Sequence, residues 1–398
     1  MIGAASTTAP PGIAQLLDPE RGAPLDRDSP HSLAGPGSRR WPVVEGIPWL
    51  RVGRDRLRSA TLDALDAGDA RGALIGLLAD QDDHARTPPP APDALGQLVD
   101  DVDAGRSTLR GAMAALGYGP VADYFAHRWS TPTYLSGLAL LERHWLGGAP
   151  VVEVACGVGA YLRDLSLRGV PALGLDVVYS KLWLARRLVV PPAVELVCGD
   201  ASGGWPLGSP GSPALAFCHD ALYFLPDKPA IVAHLRRLVG EDGRILVGHA
   251  HNSRFDHRGV SGEPMTPGEY ADLLPGSLLY DDAELAREAW SGVPATPKTP
   301  GELAGVEAVA LAWDARGDLG GRVAAGPGLT RPRPGARLRP NPLLMDGPDG
   351  PAPRWPSPRF EVEYAAGSPY LVGEPADGGA GVDRAYRQRA LLDLPERW

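Results

Sequence analysis

Acidic, histidine and glycine residues recur where short apolar runs end in the middle of the chain. The first run leads into Glu153-Val154-Ala155-Cys156-Gly157-Val158-Gly159, and later runs end at Asp176, at Asp200 and at His219-Asp220. Glycines let the backbone approach a bound molecule closely, and the first N–H groups of a helix that follows them are free to bind it. Carboxylates at the other ends could accept hydrogen bonds from the same molecule. The pattern indicates a ligand site assembled from several segment ends.

The spacing of Asp176 and Asp200 favours an adenosyl ligand. Asp176 follows the glycine turn by about 20 residues, a distance at which a carboxylate is suited to accept both hydroxyls of a ribose. Asp200 could accept a hydrogen bond from an adenine amino group while Ala201 offers a backbone N–H. A glycine-rich turn alone also serves dinucleotide enzymes, but their pattern would place a glycine at position 162, where the chain has Leu162.

A second group of polar side chains follows the fourth and fifth apolar runs. Its members are His219, Asp220 and Tyr223, and, within HAHNSRFDH, His249, His251, Asp256 and His257. Histidines and carboxylates of this kind are candidate general bases, and the histidine-rich segment could also hold a metal. We expect the segment to line a polar substrate pocket instead, and we predict no metal site.

The elements that must position these residues alternate between strand and helix from 149 to 250. Short β-rich runs alternate with helical patterns, the runs being APVVEVACG, ALGLDVV, VELVCGD, ALAFCHD and RILVGHAH. This alternation is typical of an α/β protein with a doubly wound, mostly parallel sheet, whose ligands bind beyond the carboxyl ends of the strands. Residues 305–313 predict one further strand.

Composition shifts and helical spacing divide the rest of the chain. Residues 1–54 form a Pro- and Gly-rich extension, and 55–130 contain amphipathic helices and a Pro-rich linker. The sheet and its flanking helices are expected over 131–314. Residues 315–398 form an irregular Gly-, Pro- and Arg-rich C-terminal extension, in which FEVEYAA at 360–366 is predicted to be an edge strand.

Composition and charge exclude several functional classes. The chain has 398 residues, a net charge of −9 and a pI near 5.5, so it lacks the positive field of a general nucleic-acid binder. No apolar run approaches the roughly 18 residues that a membrane-spanning helix needs, and the first residues do not resemble a signal peptide. The three cysteines, Cys156, Cys198 and Cys218, lack the spacing of a disulfide framework. We expect a cytoplasmic protein with buried thiols and no membrane partner.

From Val151 to Gly248 the chain resembles the class I S-adenosylmethionine-dependent methyltransferases. The matching motifs are EVACGVG at 153–159, LD at 175–176, GDA at 199–201, HDALYFLPD at 219–227 and EDGRILV at 241–247. Ala155 departs from the usual Glu/Asp-x-Gly-x-Gly-x-Gly pattern, a substitution that the family often tolerates. The resemblance implies a Rossmann-like fold with an N-terminal helical cap, and S-adenosyl-L-methionine as cofactor.

The same resemblance implies roles for individual residues. It places the cofactor against Glu153, Ala155, Cys156, Gly157, Gly159, Asp176, Val177, Asp200, Ala201 and His219. The loop at 153–159 would wrap the methionine portion, Asp176 would hold the ribose, and His219 would lie near the sulfonium. The candidate catalytic residues are His219, Asp220, His249 and His251, and the candidate acceptor-binding residues are Tyr124, Tyr134 and Tyr223.

The N-terminal extension carries a second resemblance. LLDPERGAPL at 16–25, followed by WPVVEGIPWL at 41–50, resembles the zinc-ribbon family of methyltransferase activators. Asp18 and Arg21 stand where that family has its first cysteine pair, and the chain has no cysteine before Cys156. A tetrahedral thiolate site cannot form in this segment, which we therefore regard as a degenerate, cysteine-less ribbon.

These observations lead to one principal functional hypothesis and two alternatives. We expect methyl transfer from S-adenosylmethionine to a small-molecule acceptor. The high content of Ala, Gly, Pro and Arg would suit an organism with GC-rich coding, in which such enzymes often modify secondary metabolites. The first alternative is an RNA or protein methyltransferase, which the activator-like segment suggests and the acidic charge disfavours. The second is a noncatalytic cofactor-binding or scaffold protein. The sequence does not indicate the oligomeric state.

Overall fold

The computed structural model describes residues 12–37, 39–81, 87–209, 211, 214–257, 262–321, 323–347, 350–371 and 381–398. The main sheet has 11 strands: β1 (Asp26–Ser29), β2 (Ser32–Ala34), β3 (Trp41–Val44), β4 (Ile47–Leu50), β5 (Val151–Val154), β6 (Ala172–Asp176), β7 (Glu195–Gly199), β8 (Leu215–His219), β9 (Arg244–His251), β10 (Leu278–Asp281) and β11 (Ala308–Asp314). Two small sheets contain β12 (Arg339–Pro340), β13 (Leu344–Gly347), β14 (Gly350–Pro353) and β15 (Leu391–Leu392).

The helices surround this sheet in chain order. They are α1 (Asp55–Asp66), α2 (Ala70–Leu78), α3 (Pro92–Asp103), α4 (Leu109–Ala115), α5 (Pro120–Ala126), α6 (Pro132–Arg143), α7 (Ala160–Ser166), α8 (Tyr179–Leu184), α9 (Lys228–Val239), α10 (Pro267–Leu273), α11 (Asp282–Ser291), α12 (Pro358–Tyr364) and α13 (Gly381–Arg387). None of these described helices is long and apolar enough to span a membrane.

The central part of the sheet has the strand order β7-β6-β5-β8-β9-β11-β10. Neighbouring strands from β7 to β9 pair in parallel, and β11 pairs antiparallel with both β9 and β10. The predicted doubly wound, mostly parallel sheet is confirmed. Because the strand order reverses between β5 and β8, the carboxyl ends of these strands border a crevice in which a ligand can bind.

The central strands are apolar because both faces of the sheet are covered. All residues of β5 and β8 are buried, and clusters of buried apolar side chains lie on the two faces. On one face α6 packs against α11 and β9, and α8 packs against β7 and α2. Glu153 is the acidic exception inside β5, so a buried carboxyl group lies at the centre of the fold.

The N-terminal strands continue the main sheet. β1 to β4 form an antiparallel meander, and β4 pairs in parallel with β7, placing Trp49 opposite Cys198 and Leu50 opposite Gly199. Asp18 accepts hydrogen bonds from the N–H groups of Glu20, at 2.9 Å, and Arg21, at 3.2 Å, so it closes a turn. The likeness of this segment to an activator ribbon stays a prediction, and its first 11 residues lie outside the described part.

The C-terminal extension differs from its sequence-based prediction in one element. FEVEYAA was expected to be an edge strand, whereas α12 covers Phe360 to Tyr364. The hydroxyl of Ser357 accepts the N–H of Phe360 at 3.3 Å, and Pro358 occupies the first helical position. This Ser-Pro start favours a helix, and it outweighs the alternating apolar pattern that the prediction used.

Candidate active site

The loop from β5 to α7 depends on left-handed backbone positions. Ala155, Gly157 and Gly159 have φ values of 58°, 57° and 76°. A Cβ at Gly157 would lie 2.7 Å from Cε1 of Phe125 on α5. The glycine therefore allows α5 to pack directly on the loop, and the space left beside it forms one end of a cavity.

Asp176, at the end of β6, ties this loop to the next one. Its Oδ2 accepts the N–H of Gly157 at 2.9 Å, and its Oδ1 accepts the N–H of Val178 at 2.9 Å. Lys181 Nζ lies 3.8 Å from Oδ1. Each carboxylate oxygen has a further lone pair, so Asp176 can still accept two hydroxyl groups from a ligand in the cavity.

Glu153 provides an unused buried acceptor in the same cavity. Its Oε2 has no hydrogen-bond partner among the described residues. Burial raises the pKa of the Glu153 carboxyl to about 8, although the nearby Arg128 guanidinium acts in the opposite direction. A buried acceptor without a donor fits a cationic ligand group, such as the ammonium of a bound amino acid.

Asp200 and Ala201 lie at another part of the cavity wall, after β7. Asp200 Oδ1 accepts the N–H of Ser202 at 2.8 Å. Among the described residues, none donates a hydrogen bond to Oδ2 of Asp200. This carboxylate oxygen is therefore available to a donor in the cavity, and its predicted contact with an adenine amino group stays a prediction.

Asp220, after β8, is the centre of a polar cluster. Its Oδ2 accepts hydrogen bonds from Tyr124 Oη at 2.7 Å and Arg128 Nη1 at 3.0 Å, and its Oδ1 accepts from Tyr223 Oη at 3.2 Å. Burial would raise the pKa of Asp220, but the charges of His249 and Arg128 outweigh it and hold the pKa well below the ordinary range. Asp220 is thus an ionised carboxylate facing the cavity.

His219 lies beside Asp220 and, unlike that carboxylate, carries no charge. Its Nε2 donates to the backbone oxygen of Thr133 at 2.7 Å, which leaves Nδ1 as a buried lone pair without a partner. Burial lowers the pKa of His219 to about 3, so the ring is neutral. A Cβ at Gly248 would collide with Nδ1, so glycine is required on the neighbouring strand.

The two histidines at the end of β9 have pKa values shifted in opposite directions. His249 Nδ1 lies 2.7 Å from Asp282 Oδ2 at the start of α11, and its backbone N–H donates to Asp282 Oδ1 at 3.0 Å. Burial alone would lower the pKa of His249, but Asp282 and Asp220 raise it to about 9. Burial lowers the pKa of His251 to about 3. The two rings therefore offer a proton donor and a neutral acceptor.

Three residues at the same strand ends have a strained backbone conformation. Ala155 follows β5, Asp220 follows β8 and His249 lies in β9, and these three have positive φ although they are not glycine. Such residues occur where surrounding contacts over-determine the backbone, often at functional sites. These three border one cavity or the cluster beside it, whereas the other described non-glycine residues with positive φ, Glu45, Asp227 and Arg389, do not line the cavity.

The cavity has a volume of about 440 Å³ and joins the glycine loop to the Asp220 cluster. Among the residues predicted to contact a cofactor or acceptor, those that line it are Tyr124, Glu153, Ala155, Cys156, Gly157, Asp176, Val177, Asp200, Ala201, His219, Asp220, Tyr223 and His251. Gly159 does not line it but begins α7. His249 does not line it either, and its ring centroid lies 5.1 Å from that of His251.

Tyr134 was predicted to bind the acceptor, and the structure places it elsewhere. Its side chain is fully buried, and Oη donates to Asp164 Oδ2 at 2.5 Å inside the core. The ring stacks on Tyr161, with a centroid distance of 4.8 Å. Tyr161 lies between Tyr134 and the cavity, so Tyr134 supports the wall and does not contact an acceptor.

Sequence reasoning missed Arg128, Asp282 and helix α12. Arg128 acts through Asp220, which lies 92 residues away in the sequence. Asp282 acts through His249, which lies 33 residues away. Helix α12 contributes Arg359, Phe360 and other side chains to the cavity wall. The only sequence signal for these partners was the acidic pair at the start of α11, which fits a helix N-terminus equally well.

Comparison with known proteins identifies the central domain. Residues 152–247 match the methyltransferase domain family. No curated protein matches the chain by sequence.

Several solved structures are similar to this chain at low identity. A chain in the complex between the Haloferax volcanii Trm112 methyltransferase activator and a methyltransferase is 20% identical, with a TM-score of 0.34, over 42% of this chain and 74% of that one. A SAM-dependent methyltransferase from Thermotoga maritima is 18% identical, with a TM-score of 0.35, over 48% of this chain and 90% of that one. Haemonchus contortus phosphoethanolamine N-methyltransferase 2, solved with S-adenosyl-L-methionine, is 19% identical, with a TM-score of 0.29, over 42% of this chain and 40% of that one.

Because these TM-scores are low, we base the assignment on the family match and on the residues of the site. The matched segment runs from β5 to β9 and includes the glycine loop, Asp176, Asp200 and Asp220. The unpartnered Glu153 oxygen and the Asp176 carboxylate fit the ammonium and the ribose of S-adenosylmethionine. Residues 152–247 thus form an S-adenosylmethionine-dependent methyltransferase domain of class I.

Proposed function

We propose that the protein transfers the methyl group of S-adenosylmethionine to a small-molecule acceptor. The observation that carries this proposal is the cover over the cavity. Val121 and Phe125 from α5, and Arg359 and Phe360 from α12, line the cavity together with the strand ends. Walls formed by two helices as well as by the strand ends favour a small acceptor over an RNA or protein segment, which could enter the cavity only with a single base or side chain.

The proposal assigns the strand ends to parts of the cofactor. Glu153 accepts the ammonium, Asp176 accepts the ribose hydroxyls, and Asp200 with Ala201 binds the adenine edge. The loop from Ala155 to Gly159 surrounds the methionine portion. When bound, the cofactor supplies an electrophilic methyl group on a sulfonium, so the enzyme contributes mainly alignment and exclusion of water.

The Asp220 cluster then forms the acceptor side. Tyr124 and Tyr223 donate to Asp220 and fix the carboxylate in one orientation. The ionised Asp220 and the neutral His251 line the cavity and present acceptors for a hydroxyl or amino proton of the substrate. His219 lies next to Asp220 with an unpartnered Nδ1, and the charge of His249 favours the ionised form of Asp220.

Titration with S-adenosylhomocysteine tests the cofactor half of the proposal. We expect micromolar binding to the full chain and no binding of NAD in the same buffer. The adenine assignment predicts that wild type prefers S-adenosylhomocysteine over its deaminated inosyl analogue, and that Asp200→Asn reduces this preference. Equal affinity of wild type for the two compounds would contradict the role of Asp200.

The acceptor half requires a transfer assay. The enzyme is incubated with cofactor labelled in the methyl group and with separate pools of small hydroxyl and amino compounds, RNA and unfolded protein. We expect label in the small-molecule pool, and lower turnover in His251→Ala with little change in affinity for S-adenosylhomocysteine. His234→Ala, which changes a histidine on α9 outside the cavity, is the matched control. Label in RNA or protein alone would overturn the proposal.

A further inference from the structure

Asp220, His249 and His251 bring three ligand atoms of the types that bind transition metals into one place. One carboxylate oxygen and one ring nitrogen of each histidine all lie within 4.8 Å of one another. An ion about 2.1 Å from each ligand needs ligand atoms no more than about 4.2 Å apart. The observed separations are close enough that small side-chain rotations would complete a site.

His249 is oriented as a metal ligand by a carboxylate behind it. Its Nδ1 lies 2.7 Å from Asp282 Oδ2, so Nδ1 carries the proton and Nε2 is left with a lone pair when the ring is neutral. The backbone N–H of His249 donates to the other oxygen of Asp282 at 3.0 Å. This arrangement of carboxylate, histidine and ion is the usual support of a metal-bound imidazole.

His251 is held in place by its neighbours and has unused hydrogen-bonding capacity. Its ring stacks between Tyr223, at 3.7 Å and 8°, and His257, at 4.0 Å and 4°. Only 6% of its surface is exposed, and Nδ1 has no hydrogen-bond partner among the described residues. A buried ring nitrogen without a partner is rare unless a water, ion or ligand completes it.

Asp220 retains an oxygen for an ion. Tyr124 and Arg128 both donate to Oδ2, whereas Oδ1 accepts only from Tyr223 at 3.2 Å. Arg128 lies next to Asp220 and contributes a positive charge. With His249 neutral, as a ligand to a metal must be, the carboxylates of Asp220 and Asp282 exceed that charge by one negative charge. The local charge therefore admits a divalent cation.

We propose that Asp220, His249 and His251 bind one divalent transition-metal ion at the acceptor end of the cavity. Two imidazoles and one carboxylate suit zinc, iron, cobalt or nickel better than magnesium or calcium, which prefer oxygen ligands throughout. Three protein ligands leave coordination positions open. This proposal differs from the sequence-based expectation of no metal site.

The role of the ion rests on the proposed function. Asp220 and His251 line the cavity, so an oxygen of the acceptor can take an open position on the ion. The ion would lower the pKa of a coordinated hydroxyl group, whose proton passes to solvent, and would fix the oxygen before methyl transfer. The acceptor class that fits is a small molecule with a hydroxyl group able to coordinate a metal.

Direct metal titration tests the site without any acceptor. The full chain is stripped with a chelator, and Zn²⁺ and Co²⁺ are titrated separately by calorimetry and, for Co²⁺, by visible absorption. We expect one ion per chain and a Co²⁺ spectrum of mixed nitrogen and oxygen ligation. Mg²⁺ should bind far more weakly. Absence of Zn²⁺ and Co²⁺ binding to the stripped chain would overturn the proposal.

Variants locate the ion. His249→Ala, His251→Ala and Asp220→Asn should each reduce affinity for Zn²⁺ by at least tenfold, and His234→Ala should not change it. Asp282→Asn tests the positioning role of Asp282 with little change of shape, and we expect about a 10- to 100-fold loss of affinity. Equal affinity in wild type and His251→Ala would place the ion elsewhere and contradict the assignment.

Cofactor binding separates this proposal from the proposed function. S-adenosylhomocysteine is titrated into the same stripped chain and the same variants. Cofactor binding without metal binding would overturn the metal site and leave the proposed methyl transfer intact. Metal binding without cofactor binding would overturn the role of the ion in methyl transfer, and the proposed function with it.

Discussion

Ala155 has a left-handed backbone conformation that favours glycine, at a position where related loops carry glycine. Its φ of 58° brings Cβ close to the following carbonyl oxygen, which costs about 1–2 kcal/mol in a residue other than glycine. We expect Ala155→Gly to raise the free energy of unfolding by about 1 kcal/mol, measured by urea denaturation. The exposed helical Ala114→Gly should lower it by about 1 kcal/mol. A loss of stability in Ala155→Gly would show that the loop is not strained.

Glu153 should make cofactor binding depend on pH. With its pKa raised to about 8 by burial, the carboxyl is mostly protonated at neutral pH and must lose its proton to accept an ammonium. We expect affinity for S-adenosylhomocysteine to rise by up to about tenfold per unit between about pH 6 and 8 and then to level. Calorimetry in buffers of different ionisation enthalpy measures the released proton. Glu153→Gln should remove this release, and a flat wild-type profile would contradict the assignment.

The same pKa has a consequence for stability. Because folded Glu153 binds its proton more tightly than the unfolded chain does, its stabilising contribution is complete below the unfolded pKa. The contribution is lost as the pH rises through about 8. Between about pH 5 and pH 8, wild type should therefore lose more stability to urea than Glu153→Gln does, in the absence of cofactor.

At the scale of elements, β9 and β11 are joined by a buried ion pair. Arg244 Nε donates to Asp314 Oδ2 at 2.8 Å, and both side chains are completely buried. Arg244 also donates to the backbone oxygens of His144 and Trp145, each at 3.2 Å, so it links the sheet to the end of α6. The pair fixes how the antiparallel strand β11 lies against the parallel part of the sheet.

Removal of the Asp314 carboxylate should therefore strongly lower the free energy of unfolding. Asp314→Ala leaves the Arg244 charge buried without its partner, and we expect a loss of about 3–5 kcal/mol in the free energy of unfolding. Asp100→Ala, which removes an exposed partner of Arg71, should have no measurable effect. Urea denaturation of both variants checks the difference, and equal effects would show that the buried pair contributes no more than an exposed one.

The elements that the sequence predicted well are those with local signals. Periodicity and turn residues predicted the strands that end at Asp176, Asp200 and His219, and the carboxylates at their ends line the cavity. The register that brings Arg128 to Asp220, and the docking of α12, depend on contacts between residues far apart in the chain. No local pattern encodes such contacts, which is why Tyr134 was misplaced and α12 was missed.

At the scale of the whole molecule, the last residues of the sequence connect distant parts of the fold. Arg397 Nη1 donates to the backbone oxygen of Val102 at 2.6 Å, and the N–H of Leu109 donates to the backbone oxygen of Arg397 at 2.7 Å. Trp398 Nε1 donates to the backbone oxygen of Ala126, the last residue of α5. The tail thus holds α5, which lines the cavity, against the rest of the cap.

Loss of the Trp398 side chain should weaken cofactor binding, because Trp398 holds the end of α5. We expect Trp398→Ala to raise the Kd for S-adenosylhomocysteine several-fold, because Tyr124 and Phe125 on α5 would be less well positioned. Trp313→Ala is the matched control, since Trp313 also donates Nε1 to a backbone oxygen, that of Pro275 at 3.1 Å, but lies outside the cavity. Equal affinities in the two variants would show that the tail does not act on the site.

The pairing of β4 with β7 also determines which strand forms the edge of the main sheet on that side. Without β1 to β4, the apolar strand β7 would expose its backbone N–H and C=O groups, a template on which a second chain could add a strand. In the described chain the outermost strand there is β1, whose Asp26, Arg27 and Asp28 are exposed. Charged side chains on a short edge strand oppose such addition. The N-terminal strands therefore protect this enzyme against edge-to-edge aggregation, whatever else they bind.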